Sequence, residues 1–263
     1  MDKQILIDKW LHEQEIAYIK GWDFSHIRNR YTEEDDLPWD FGKIIQKYRN
    51  DSMKLMDMET GGGEFLLTFR HPYENTAAIE GYPPNVELCK KVLLPLGIEF
   101  KAAGGGDKLP FSDQSFDIVT NRHGDYDAAE LQRVLKSEGL FLTQQVGAEN
   151  DHELVELLLP QLTEVPFPKQ YLDVKKAELL EHGFEILESG EVRRPIRFFD
   201  VGALVWFARI IEWEFPGFSV ESCFEHLLEA QKSIERDGLL EGSIHRFYIV
   251  AKKISAPIDI SDF

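Results

Sequence analysis

The residues best suited to chemistry crowd one corner of the chain, Leu55-Met56-Asp57-Met58-Glu59-Thr60-Gly61-Gly62-Gly63-Glu64-Phe65. A short apolar run ends in an acid, passes through glycines and re-enters an apolar pattern, as a strand does when it turns sharply into a helix. Glycine there lets the backbone take left-handed angles and lets a ligand approach without meeting a Cβ. The N–H groups that open the following helix favour an anionic or strongly hydrogen-bonding ligand group. Any α/β nucleotide-binding fold could own such a corner, so by itself it predicts only strand, turn and helix. Downstream, Ala77-Ala78-Ile79-Glu80-Gly81-Tyr82 reads as a second short strand ending in an acid. A carboxylate at that tip is placed to accept both hydroxyls of a ribose.

Two further blocks follow, Asp107-Lys108-Leu109-Pro110-Phe111-Ser112-Asp113-Gln114-Ser115-Phe116-Asp117-Ile118-Val119 and Leu131-Gln132-Arg133-Val134-Leu135-Lys136-Ser137-Glu138-Gly139-Leu140-Phe141-Leu142. In this order and at these spacings the blocks resemble class I S-adenosylmethionine (SAM)-dependent methyltransferases of the small-molecule type. The resemblance covers residues 50 to 150 well and the flanks loosely. It implies a Rossmann-like α/β sheet of seven strands, mostly parallel with an antiparallel last strand. Helices cover both faces, with an N-terminal helical cap and a C-terminal helical insertion. The implied plan is a cap over residues 1–50, the methyltransferase domain over 51–253 with its insertion at about 190–243, and a tail over 254–263. The implied activity is direct transfer of a methyl group from SAM to a small molecule. The implied cofactor contacts are Asp57, Glu59, Gly61, Gly63, Glu80, Gly81, Tyr82, Gly106, Asp107 and Asn121.

Two positions depart from the family pattern. The family usually has three alternating glycines in the first loop, and Glu59 takes the first place while Gly61 and Gly63 keep the others. Either this side chain crowds the turn or its carboxylate meets the ammonium or sulfonium of the cofactor. The acid that usually meets the adenine amine is replaced by Gly105, with Asp107 two places later. Two other function classes therefore stay open. One is a methyltransferase-like protein that binds a ligand without turnover. The other is a nicotinamide-dependent oxidoreductase, which shares the first loop and the ribose acid and which the Leu109-Pro110-Phe111 and Ser115-Phe116-Asp117 block disfavours.

Composition narrows the partners. A formal charge of −18 over 263 residues argues against binding a nucleic-acid backbone, which lysine and arginine drive by releasing counterions. It argues equally against an anionic membrane surface. Two cysteines, Cys89 and Cys223, make neither a disulfide framework nor a metal cluster and read as buried thiols of a reducing compartment. With no signal-like start and no apolar run of about 18 residues, the sequence predicts a soluble, cytoplasmic protein acting on a small molecule. It leaves the oligomeric state open.

The remaining elements position these groups. Ile5, Leu6, Trp10, Leu11 and Ile16 fall near helical spacing, predicting an amphipathic helix within residues 2–20. Gly21-Trp22-Asp23-Phe24-Ser25 and Leu37-Pro38-Trp39-Asp40-Phe41 repeat Trp-Asp-Phe in a polar stretch; these aromatics either pin the segment to the domain or close over the ligand pocket. Asn85 suits an N-cap for a helix that stops near Pro95 and Gly97. Tyr82 suits either a surface turn or a ring laid against the adenine. Strands are expected at 98–102, 116–120, 140–146, 184–188 and 245–251. The strand at 116–120 delivers Asn121-Arg122-His123, which would face the transferred group. His123 is the candidate base because its ordinary pKa lies near neutrality, although a strand-end histidine also serves as a hydrogen-bonded structural residue. Arg122 suits an anionic substrate group or a neighbouring acid. Arg193, Arg194 and Arg197 form a basic cluster before Asp200, an N-cap for the helix through Trp206. Trp22, Trp39, Arg197 and Trp206 are the candidate walls of a substrate pocket. A last helix is expected from Val220 to Arg236.

Overall fold

The computed structural model describes residues 3–19, 23–33 and 36–254. The chain opens with helix α1 (Lys3–Glu15) and a two-residue strand β1 (Tyr31–Thr32). Helix α2 (Phe41–Tyr48) starts at Asp40, whose carboxylate accepts the Lys43 amide at 3.1 Å. Strand β2 (Leu55–Met58) runs into the short helix α3 (Glu64–Thr68), and β3 (Thr76–Glu80) into α4 (Pro83–Val92). Then come β4 (Glu99–Ala102), β5 (Phe116–Arg122), α5 (Ala128–Val134), β6 (Leu135–Val146), α6 (His152–Leu158) and α7 (Leu172–Glu181). The chain closes with β7 (Phe184–Phe198), α8 (Val201–Ile210), α9 (Phe224–Asp237) and β8 (Leu240–Lys253).

Among the described residues the strands form one eight-stranded sheet in the order β1-β7-β8-β6-β5-β2-β3-β4. Strands β4, β3, β2, β5 and β6 are parallel neighbours, and β1 joins β7 antiparallel at the edge. The sheet has one strand more than the seven expected. The addition is β1, which is too short to register as a period-two pattern and is made by pairing Tyr31 with Phe198 and Thr32 with Arg197. The last strand lies between β6 and β7.

Several boundaries moved for identifiable reasons. Helix α4 begins at Pro83, not after Asn85, because proline at the first helical position loses no hydrogen bond and arrives with helical φ. Strand β7 continues to Phe198, well past the expected Glu188, and carries Arg193, Arg194 and Arg197 as strand residues. Its alternating exposure is that of a strand with one wet face. Helix α9 starts at Phe224 rather than Val220. Trp22 lies outside the described residues.

The chain divides into two compact units. One comprises residues 39–145, 172–191 and 247–263. Its parallel strands are buried on both faces and so read as nearly unbroken apolar runs. Met56, Val119, Phe141 and Phe247 point to one face, where α5 and α7 add Leu131 and Leu179. Their neighbours Leu55, Ile118, Leu142 and Tyr248 point to the other, where α2 and α4 add Ile45 and Cys89. Period-two alternation thus gives this unit two cores, one on each side of the sheet.

The other unit comprises residues 1–38, 146–171 and 192–246. Its core joins Leu6 and Trp10 of α1 to nearly all of α8 and to Leu227 and Ala230 of α9. Helix α8 is buried all round from Val201 to Ala208, as a helix wrapped by others must be. Asp200 caps it by accepting the Ala203 amide at 3.0 Å, as the sequence predicts. The same carboxylate receives Arg30 through Nε at 2.8 Å and Nη2 at 2.7 Å, and Arg30 Nη2 also reaches Glu13 at 2.8 Å. Among the described residues no helix is long and apolar enough to cross a membrane.

Asp200→Ala removes a helix cap and one partner of Arg30 together. The expected cost is about 2 kcal/mol, the upper end for a lost cap, read from the urea midpoint of unfolding. Asp200→Asn, which keeps a capping oxygen, should cost less.

Candidate functional site

Register brings the candidate groups together at the carboxyl ends of the parallel strands. Met58 of β2 lies beside Ile79 of β3 and Asn121 of β5, so the residues that follow each strand emerge in one row. Glu80 pairs with Ala102, and Arg122 with Gln144. A crevice at this end is where doubly wound sheets take ligands. All the residues of this row belong to the same unit.

The glycine corner is built around Glu80. Gly61 (φ +64°) turns left-handed and donates its amide to Glu80 Oε2 at 2.7 Å. Tyr82 donates its amide to Oε1 at 2.8 Å, and the Asn85 side chain adds a bond. Glu80 is buried, and burial raises its pKa against the pull of these donors. Gly81 is required by close approach, since a Cβ there would come within 3.0 Å of Gly104 Cα. Gly63 (φ +88°) sits in the left-handed region, where a side chain is strained, and a Cβ there would also meet Leu93 Cδ2 at 2.7 Å. The start of α3 differs from the anion-binding corner expected from the glycines. Glu64 folds back so that its Oε2 accepts the Gly62 amide at 2.9 Å, and the helix end is answered from within the chain.

Asp57 lies beneath the corner, accepting Thr60 Oγ1 at 2.7 Å and Thr120 Oγ1 at 2.6 Å. It is a buried strut between β2, the turn and β5 rather than an exposed ligand contact. Burial raises its pKa to about 6, against both hydroxyls and the charge of Arg122. Glu59 stands at φ +52° and its carboxyl receives the Gly105 amide. Burial pushes its pKa up to about 7, and the facing Glu80 carboxyl pushes the same way.

The loop after β4 explains Gly105. A Cβ on it would sit 2.1 Å from the Asp125 carbonyl oxygen, so the family's acid has no room. Asp107 turns its carboxylate back to the Gly104 amide at 3.3 Å, and Gly106 lies against the Asp125 carboxylate. Tyr82, 55% exposed, stands at the mouth of the row and supplies its amide to Glu80.

The β5 tip departs most from expectation. Asn121 was a candidate both for catalysis and for the cofactor, but its amide knits strand ends together. Oδ1 accepts Gln145 Nε2 at 2.6 Å and Thr143 Oγ1 at 3.0 Å, while Nδ2 reaches Met58 O at 3.4 Å. A fully buried amide must be satisfied by protein, and here it is. Arg122 lays its guanidinium over the Phe65 ring, 4.8 Å from the centroid, a cation–π contact, and its charge acts on the neighbouring Asp57.

His123, in a left-handed conformation (φ +60°), is half-buried. Trp39 Nε1 donates to Gln144 Oε1 at 2.8 Å, and Gln144 Nε2 lies 3.1 Å from His123 Nε2. Since the amide oxygen already serves Trp39, the amide nitrogen is the donor, and this network assigns His123 Nε2 as an acceptor with its proton on Nδ1. Trp39 also packs on Tyr248 at 5.0 Å.

Two other pocket candidates lie in the second unit. Trp206 is 1% exposed and packs on Phe24 and His26, so it is core rather than pocket wall. Arg197 lies on β7 and pairs with Glu241 at 2.7 Å. Cys89, buried with its thiol directed to Gly61 O at 3.0 Å, has its pKa raised to about 12 by burial and nearby acids. It is structural, as expected. Gln144 and the Gly124–Asp125 loop carry contacts that sequence reasoning missed. Nothing in the sequence marks a loop as touching another loop far along the chain.

Residues 56–143 match the family model described as a methyltransferase domain. Over 115 residues the chain is 29% identical to the uncharacterized methyltransferase YcgJ of Bacillus subtilis, covering 40% of this chain and 45% of that protein. Over 98 residues it is 31% identical to the phthiotriol/phenolphthiotriol dimycocerosates methyltransferase of Mycobacterium tuberculosis, covering 35% and 36% respectively. The chain thus spans under half the length of these curated relatives. A Bacillus halodurans protein solved under a provisional methyltransferase name superposes with a TM-score of 0.58 at 19% identity, over 82% of this chain and 99% of that one. At that identity the likeness concerns the fold.

Asp57 titrates higher folded (about 6) than its ordinary 3.8, so between these values the folded state holds more protons than the unfolded one. Its contribution to stability is full at low pH and is lost as pH rises from about 4 to 6. Asp57→Asn should remove that slope. The wild-type stability relative to the variant should fall across this window by an amount on the order of 3 kcal/mol, measured by chemical unfolding at stepped pH. Gly105→Ala should lower stability by more than about 1 kcal/mol through its clash with Asp125, read as a drop in Tm.

Proposed function

We propose that the protein transfers a methyl group from SAM to a small-molecule acceptor, a reading supported by the match of residues 56–143 to a methyltransferase domain. The single observation that carries the reading is Glu80. It is a buried carboxyl at the tip of β3, bonded to the Gly61 amide of the neighbouring corner and so fixed beside the glycines.

The residues at this corner fit the adenosine part of SAM. Glu80 would hold the ribose hydroxyls, while Gly61 and Gly81 leave backbone where side chains would obstruct. Tyr82 and the Gly104–Asp107 turn would border the base. When bound, SAM supplies a methyl group made electrophilic by a sulfonium. The task of the protein is then to align the acceptor and keep water out. Trp39 and Gln144 engage His123 Nε2, so this ring would act as a base only by exchanging Gln144 for the acceptor's proton.

The same corner disfavours a nicotinamide dinucleotide. A pyrophosphate on this turn would face the carboxyls of Glu59 and Glu64, a like-charge contact that a sulfonium ligand avoids. The acidity of the chain supports a small-molecule acceptor over a nucleic acid. A second reading, ligand binding without turnover, draws on the position of Glu59, whose side chain reaches from β2 to the Gly105 amide.

Calorimetric titration of the full chain with SAM, S-adenosylhomocysteine and NADH tests the proposal. Micromolar binding of either sulfur ligand but not NADH is expected. Glu80→Ala should weaken it at least tenfold, about 1.4 kcal/mol. Absence of binding at millimolar SAM would remove the enzyme reading.

A further inference from the structure

Glu59 is held in a conformation that a glycine would adopt more readily, and its surroundings are shaped to it. Its φ of +52° lies in the left-handed region, uncommon for a residue with a side chain. The chain walls around it are glycine. A Cβ on Gly124 would meet Glu59 Cβ at 2.4 Å and Cγ at 2.5 Å, and one on Gly105 would lie 3.3 Å from Glu59 Oε1. Two loops far apart in sequence therefore leave a slot that this one side chain fills, ending on the Gly105 amide. Strain kept at such a place is a reason to look for a role.

The charged groups around the slot are mostly acids. Glu80 faces Glu59 from the end of β3. The loop after β4 brings Asp107, bonded to the Gly104 amide, and the loop after β5 brings Asp125, against Gly106. Asp57 lies two residues back on β2, with the charge of Arg122 acting on it. What favours ionised Glu59 is the pair of amides from Gly105 and Gly81. A ligand bringing positive charge to this slot would relieve the repulsion between the two glutamates, whereas a neutral group would not.

We propose that Glu59 is a latch that senses ligand charge: it closes the crevice by bridging the β2 corner to the Gly105 amide, and a cationic ligand group draws it off that amide into an ion pair. The proposal rests on SAM binding as argued above. In the exchange, the hydrogen bond from the Gly105 amide to Glu59 breaks and any proton on the carboxyl passes to buffer. The carboxylate then pairs with the ligand cation. SAM offers two cations, its ammonium and its sulfonium, whereas S-adenosylhomocysteine keeps only the ammonium. The latch consequently makes Glu59 a determinant of cofactor selectivity.

The test is calorimetry of both ligands at pH 7 in two buffers of different ionisation enthalpy, with wild type, Glu59→Gln and Glu59→Gly. Wild type should release more protons on binding SAM than Glu59→Gln does, because burial raises the Glu59 pKa and an ion pair lowers it again. Glu59→Gln should bind SAM at least tenfold more weakly. Loss of SAM affinity alone in this variant identifies the sulfonium as the partner; equal loss for both ligands identifies the ammonium. Hydrogen exchange of the Gly105 amide without ligand should speed up in Glu59→Gly. If all three proteins bind both ligands alike, with the same proton release, the latch is wrong and the proposed function stands. If wild type fails to bind and Glu59→Gly binds, the cation does not draw Glu59 off its amide and the latch is wrong. If none binds while circular dichroism shows all three folded, the function and the latch fall together.

Discussion

A carboxylate buried at a strand tip is costly unless hydrogen-bond donors meet it, and the site is arranged around meeting Glu80. Gly61 can aim its amide at that carboxylate because it turns left-handed. Tyr82 donates just before α4 begins, and the two prolines that open α4 have no amides of their own to satisfy. Gly81 and Gly104 approach so closely that a side chain at Gly81 would press on the Gly104 backbone. One polar requirement thus fixes the corner of β2, the start of α4 and the loop after β4.

The crevice differs from a simple glycine-lined cradle in its charge. Asp57, Glu59 and Glu80 are all raised in pKa, with burial as the first cause in each case. Burial makes such groups resist ionisation unless a cation or a donor meets them. The left-handed Glu59 and His123 place backbone strain at the ends of two neighbouring strands.

The second unit handles buried charge differently. Arg30 is shared by Asp200 and Glu13, and Arg246 is held by Glu33 and Asn150. Asp151, in a left-handed conformation, is pushed far above its ordinary pKa by burial, and Glu214 to about 7 by the same cause. With more acids than cations inside, part of this interior is most comfortable protonated. The paired Asp200 runs the other way, its pKa held down by Arg30 and the Ala203 amide despite burial.

The sequence by itself determined the sheet and the glycine corner, because their signals are local. Apolar runs of strand length, glycines at a turn, an acid at a strand tip and an N-cap at Asp200 each depend on residues a few places apart. The departures at Glu59 and Gly105 were visible in the same way, as the wrong residue type at a family position. Tertiary structure alone decided what those departures mean. Gly105 is small because the Asp125 carbonyl oxygen presses on it, and Glu59 fits because Gly124 leaves room beside it. The employment of Asn121 by Thr143 and Gln145, the tautomer of His123 and the burial of Trp206 likewise hang on partners brought together by folding. A two-residue strand such as β1 exists only because β7 runs long enough to pair with it. Such pairings are long-range contacts between irregular segments, and no periodicity in the chain encodes them.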